Sequence, residues 1–237
     1  MLWYSDHGRG YLWRNASATI YVRIVSEVLL QRTRADTVQR FAPDFFREYP
    51  SWKHLADATE TELQERLKTI GLWRQKARSL SQLAQVMAKR AGRFPRSRED
   101  IQALPNVGQY IANAVLLFRF QQPEPLLDSN MARVIERYFG QRKLADVRFD
   151  PYLQSLAKRI VQYGGCPALT NWAILDLGAL VCRPSKPLCS KCPLSKECTQ
   201  FQASSSHTNA IKTDESESGR TRHRTTPKTL KPSSATP

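Results

Sequence analysis

The chain has 237 residues, enough for one large domain or two compact ones with cores of their own. An apolar fraction of 41% suits a globular protein, and no stretch approaches the ~20 apolar residues of a membrane span, which excludes a helical membrane protein. Lys and Arg number 36 against 21 Asp and Glu, a net +15, and this points to a polyanion as partner.

The opening Met1-Leu2-Trp3-Tyr4-Ser5-Asp6-His7 has no basic segment followed by an apolar one, so no secretory signal is expected. An intracellular, reducing location (cytoplasm or nucleoid) follows as the expectation. Ile20, Ile24, Val25, Val28 and Leu29 then recur at helical spacing. Thr59-x-x-Glu62 is a capping box ahead of Leu63, Leu67 and Ile70. From Arg74 to Ala91 one face carries Ala77, Leu80, Ala84, Met87 and Ala91, and Gly92 ends the helix. Asp128 precedes a helix predicted over Met131–Phe139 that stops at Gly140. Asp150-Pro151 supplies a cap and a first-turn proline for a helix bearing Leu153, Leu156, Ile160 and Val161, closed by Gly164-Gly165. No segment alternates apolar and polar residues long enough to make a strand. The expected class is all-α, without tandem repeats.

Leu104-Pro105-Asn106-Val107-Gly108 separates two apolar-periodic segments, Ser97–Ala103 and Tyr110–Phe118, and predicts a tight turn between two helices. The second helix would begin at Gly108-Gln109 with free N–H groups that can grip a phosphate without a charged side chain. A purely structural hairpin fits the same pattern.

Cys182, Cys189, Cys192 and Cys198 form C-x6-C-x2-C-x5-C within 17 residues, with Cys166 apart. In an intracellular protein such density indicates metal rather than disulfides. Zinc accepts four thiolates, but its sites more often pair two short knuckles across a longer gap. One compact loop supplying every ligand favours a [4Fe–4S] cube over zinc. Arg183, Lys186 and Lys191 lie among the ligands, either balancing thiolate charge or meeting phosphate. Beyond residue 203 the chain is Ser, Thr, Pro and charge. Residues 201–237 are expected to form a disordered basic tail with six basic and three acidic residues, which leaves +12 on residues 1–200.

Taken together, the hairpin, an Asp about twenty residues beyond it and the cysteine loop resemble the endonuclease III superfamily, the helix-hairpin-helix, iron–sulfur DNA glycosylases of base excision repair. The resemblance runs from about Leu12 to Cys198 and raises [4Fe–4S] well above zinc. It implies two all-α lobes with double-stranded DNA bound across the cleft between them. Residues 15–122 would form a six-helix barrel with the hairpin, and residues 1–14 plus 123–200 the cluster lobe. It implies an enzyme, most simply a monomer, that flips a mismatched or damaged base out of the duplex. Asp128 would be the catalytic carboxylate; a helix N-terminus favours its ionised form, suited to a cationic sugar. Glu27 matches a glutamate that protonates the leaving purine in the adenine-specific branch; a solvent-facing Glu is the plain alternative. Gln31-Arg32-Thr33 matches a DNA-probing loop, with Arg32 filling the gap left by the base and Gln31 beside it. Asn106, Val107, Gly108, Gln109 and Lys186 are the other expected DNA contacts.

One position subdivides the family. Members that nick the DNA backbone carry lysine where this chain has Tyr110, so Tyr110 implies glycosylase action alone. Tyrosine there resembles the branch that removes thymine or uracil opposite guanine, and its ring can stack on a flipped pyrimidine. An adenine glycosylase is the second reading, carried by Glu27, and a non-catalytic DNA-binding module the third. Two departures stand out. Asn106 replaces a glycine in the hairpin, tolerable because Asn is next best where φ is positive. Arg74-Gln75-Lys76 stands where adenine-branch members usually carry tyrosines.

Overall fold

A computed structural model describes residues 2–204, all helix and connection. The helices are α1 (Leu2–His7), α2 (Ile20–Leu30), α3 (Ala35–Glu48), α4 (Trp52–Asp57), α5 (Glu60–Leu67) and α6 (Trp73–Lys89), followed by α7 (Arg98–Gln102), α8 (Gln109–Phe120), α9 (Ser129–Phe139), α10 (Pro151–Tyr163) and α11 (Pro167–Leu180). Single 3-10 turns occupy Leu12–Arg14, Cys189–Lys191 and Ser195–Glu197. No strand occurs among the described residues, in agreement with the all-α expectation. A further helical stretch spans 199–204, so the first residues assigned to a disordered tail are helical. The rest of that expectation lies outside the described residues.

Local chemistry explains most boundaries. The Thr59 hydroxyl accepts from the Glu62 N–H while the Glu62 carboxylate accepts from the Thr59 N–H, closing the capping box. Asp150 accepts from the Leu153 N–H ahead of Pro151, and Ser97 caps α7 through the Asp100 N–H. At the end of α6, Gly92 takes φ +73° and returns its N–H to the Met87 carbonyl.

The largest core lies among α2 to α8 and includes Ile24, Val25, Leu29, Leu80, Ile111 and Ala112. Tyr11 and Trp13 pack into it too, although the sequence places residues 1–14 with the other lobe. That segment bridges both bodies, because Arg9 and Arg14 both pair with Asp176 of α11. A second core joins α9 to α10 through Leu127, Met131, Ile135, Leu153 and Ala157. A third packs Val134, Leu177 and Val181 against Trp3, Cys182, Leu188 and Cys192. The connection between α8 and α9 is pinned by Asn171, whose Oδ1 accepts from the Leu126 N–H at 2.6 Å and whose Nδ2 donates to the Glu124 carbonyl. This clamp fixes where the chain enters Asp128. No helix is long and apolar enough to cross a membrane among the described residues.

Candidate active site

Glu27 sits in α2 and Tyr110 at the start of α8, two helices that pack directly on each other. The Tyr110 hydroxyl donates to Glu27 Oε2 at 3.1 Å. Glu27 is only 5% exposed, which rules out the solvent-facing alternative. Burial pushes its carboxyl up to about 7, against the lowering effects of the Tyr110 hydrogen bond and the Arg14 charge, with the nearby Asp128 charge adding to the rise. Burial also raises the Tyr110 phenol well above its ordinary value, reinforced by the charges of Glu27 and Asp128.

Asp128 caps α9, as its place in the sequence predicts. One carboxylate oxygen accepts from the Asn130 and Met131 N–H groups and the other from Asn130 Nδ2, each at 2.8 Å. Burial is the largest influence on its pKa, and the net shift is upward despite these donors and Arg133. The helix terminus therefore offsets the cost of burial without reversing it, a correction to the simple dipole expectation. The structure brings Glu27, Tyr110 and Asp128 within electrostatic reach of one another across a sequence span of 101 residues.

Several participants carry no local sequence signal. Arg14 lowers the pKa of both Glu27 and Tyr110, and is itself held by Asp176 and lies over the Tyr11 and Trp172 rings. Asn130 joins Asp128 to Arg133, whose guanidinium also donates to the Gly178 and Cys182 carbonyls. Three hydrogen bonds thus link the carboxylate to the cysteine loop.

The residues expected to contact DNA lie on loops and helix ends and differ in exposure. Gln31 and Arg32 are exposed, and Arg32 takes φ +50°. In the hairpin Asn106 takes φ +59°, as its substitution for glycine predicts, and its Nδ2 donates to Gln82 Oε1 at 2.7 Å. Val107 is buried and anchors the turn, whereas Gly108 is exposed in extended backbone at the cap of α8. A Cβ on Gly108 would meet no protein atom within 4 Å, so the open space at this helix end suits an approaching group from outside. Gln109 is partly turned inward and donates to Gln154 Oε1. Leu72, next to the Gln31–Thr33 loop, was missed by sequence reasoning: it is 41% exposed, with φ +57°. An exposed leucine in strained backbone was detectable only once the two loops were seen to abut.

The four clustered cysteines are free thiols on the loop after α11, as is the separate, exposed Cys166. Arg137 grips the loop, donating to the Arg183 and Pro184 carbonyls and, at 3.4 Å, to Cys182 Sγ. Burial and neighbouring thiolates raise the pKa of Cys189 and Cys192. Lys186 is exposed on this loop with φ +50°. Among the described residues no three His, Cys, Asp or Glu side chains converge as ligands of a single metal ion.

Comparison with known proteins matches residues 25–149 to the HhH-GPD superfamily of base excision DNA repair proteins. A thymine-DNA glycosylase of Aeropyrum pernix is 40% identical over 203 residues, 84% of this chain and 91% of its own. A thymine/uracil-DNA glycosylase of Methanothermobacter thermautotrophicus is 35% identical over 202 residues, 84% of this chain and 90% of its own. The solved structure of a thermostable thymine-DNA glycosylase superposes with a TM-score of 0.74 at 35% identity, covering 82% of this chain and 89% of that one.

Proposed function

We propose that the chain, which belongs to the HhH-GPD superfamily of base excision DNA repair proteins, is a monofunctional DNA glycosylase that removes thymine or uracil mispaired with guanine. The observation that carries this reading is the part-buried Tyr110–Glu27 hydrogen bond beside Asp128. A tyrosine at this position offers a ring to stack on a flipped pyrimidine and has no amine for a Schiff base. Uracil lacks only the thymine methyl, a difference worth roughly 1–3 kcal/mol in a pocket, so one site accepts both.

Duplex DNA lies across the cleft between a barrel lobe (residues 15–122) and a cluster lobe (1–14 plus 123–200), gripped at phosphates by the Asn106–Gln109 turn and by Lys186. Arg32, with Gln31 and Leu72 beside it, fills the space of the extruded base. The bond from sugar C1′ to the base nitrogen then breaks, its electron pair leaving with the base. Glu27, protonated near neutral pH, gives its proton to the departing base, while the Asp128 carboxylate stabilises the cationic sugar. Water adds its oxygen to C1′ and yields its proton to Asp128, and solvent restores both carboxyls.

The cysteine loop fits a [4Fe–4S] cluster held by Cys182, Cys189, Cys192 and Cys198. Its four thiols are free and partly buried, and burial together with the neighbouring thiols raises the pKa of Cys189 and Cys192, so a cationic group among them is favoured. A cube presents four separate irons and needs no convergence on one point, whereas zinc does. When bound, the cluster staples the loop that carries Lys186. A brown protein containing iron and sulfide is expected; a colourless one holding one zinc refutes this part.

The substrate test uses labelled duplexes carrying G·T, G·U, A·G and A opposite oxidised G, incubated with protein or Asp128→Asn and then treated with alkali. Cutting at T and U opposite G, lost in the variant, is expected. Cutting only at A-containing pairs would transfer the assignment to adenine, and none at all would leave DNA binding alone.

A further inference from the structure

Lys76 is the feature that the catalytic reading leaves unexplained. It lies in the first turn and a half of α6, and its whole side chain is 1% exposed. No carboxylate pairs with it among the described residues, and its Nζ has a single hydrogen-bond partner, Thr33 Oγ1. An unpaired ammonium in such surroundings is costly, and burial lowers its pKa to about 8. A thioether of similar length would fill the same space without that cost. Fold stability therefore does not account for a lysine here.

Its partner explains it. The Thr33 hydroxyl accepts from Lys76 and donates in turn to the Gln31 carbonyl at 3.4 Å, so the pair spans Arg32 on both sides. Arg32 is the left-handed residue of that loop, a conformation that persists only where surrounding contacts enforce it. The second loop presses on the same point: a Cβ at Gly71 would lie 3.2 Å from the Arg32 carbonyl oxygen, and Leu72 beside it is also left-handed. Two strained loops thus abut over one buried cation.

We propose that Lys76 is a positioning residue for base extrusion: through the Thr33 hydroxyl it clasps the Gln31–Thr33 loop and holds Arg32 aimed into the duplex. This rests on the reading of Arg32 as the side chain that fills the vacated stack. Lys76 itself touches neither base nor sugar. Its loss should leave the protein folded and DNA-bound but slow to extrude the base.

The test compares wild type with Lys76→Met, Thr33→Val, Thr33→Ser and the Lys76→Met/Thr33→Val double variant. The readouts are melting temperature, duplex affinity, single-turnover cleavage, and fluorescence of 2-aminopurine placed beside the mispaired base. Lys76→Met is expected to melt at or above wild type and bind within about twofold, while extrusion and cleavage slow by about tenfold or more. Thr33→Val should behave alike, Thr33→Ser like wild type, and the double variant no worse than Lys76→Met alone. Extrusion by Lys76→Met and Thr33→Val within twofold of wild type overturns the clasp and leaves the glycosylase reading intact. A fall in melting temperature matching the loss of cleavage makes Lys76 a fold residue only and overturns it as well. A wild type that leaves the probe stacked in every duplex overturns both readings together.

Discussion

Replacing Glu27 with Gln tests the acid role and the electrostatics of the pocket in one variant. The carboxyl titrates near 4.5 in an unfolded chain and at about 7 when buried within α2. At 1.36 kcal/mol per pH unit, that interval amounts to about 3 kcal/mol. A folded-state pKa above the unfolded one means that the native protein binds the proton more tightly. This contribution is fully present below pH 4.5 and is lost as pH rises through about 7. Gln does not titrate, and its carbonyl can still accept from Tyr110. Urea unfolding of both proteins from pH 4.5 to 8.5 should therefore show Glu27→Gln gaining on wild type with pH, by up to about 3 kcal/mol at the alkaline end. Groups common to both proteins cancel in the difference. Over the same range, single-turnover cleavage by wild type should decline above about pH 7, and the variant should be slower by about 10²- to 10⁴-fold without that decline. A stability difference that does not change with pH, or a variant that retains the alkaline decline, would refute the assignment of a neutral Glu27.

Tyr110→Phe removes the hydrogen bond that lowers the Glu27 pKa, so the alkaline limb of the pH–rate profile should move to higher pH; a limb moved to lower pH contradicts this. Asp128→Asn keeps a side chain that caps nearly as well, so melting should change little while cleavage falls by about 10²- to 10³-fold and duplex binding persists. Asp176, fully buried, is the shared partner of Arg9 and Arg14; Asp176→Asn should cost about 3 kcal/mol or more in a denaturant titration by stranding two guanidinium groups. A Cβ on Gly178 would fall 2.9 Å from Asn130 Cβ and 3.0 Å from its carbonyl oxygen. Gly178→Ala should therefore destabilise by about 1–3 kcal/mol and slow cleavage by displacing the residue that hydrogen-bonds Asp128; an active, fully stable variant is the contrary result.

What could be read in advance was what neighbours in sequence decide. The capping box at Thr59, the stop at Gly92, the left-handed Asn106 and the cap at Asp128 are local bargains between a side chain and nearby backbone, and each is present as expected. Helices with neither such punctuation nor a clear apolar period had no boundaries legible in the sequence. Residues of α3 carry Pro43 in the helix interior, a sign that normally reads as a break, and α11 is apolar around its circumference and so lacks a period. Long-range partners left no trace at all. Asp176 meets Arg9 and Arg14 across more than 160 residues, and Lys76 meets Thr33 across 43. In the sequence Lys76 is merely one of three residues replacing tyrosines, because nothing local marks its ammonium as buried.

The same distinction bears on how two acidic residues would divide the proposed reaction. Both Glu27 and Asp128 lose water and are pushed upward by burial, so desolvation alone cannot assign their roles. The difference lies in the donors each finds. Asp128 sits on a helix end with two backbone N–H groups and an Asn130 amide, and Arg133 nearby, all of which favour a charge. Glu27, in the body of α2, has the Tyr110 hydroxyl and the more remote field of Arg14. The larger set of donors at Asp128 than at Glu27 favours an anion at the first and a proton on the second, the division that the proposed reaction needs. On the proposed reading the hairpin and cysteine loop take no part in that division, so a change at Asn130 or Tyr110 is expected to lower cleavage while duplex binding persists.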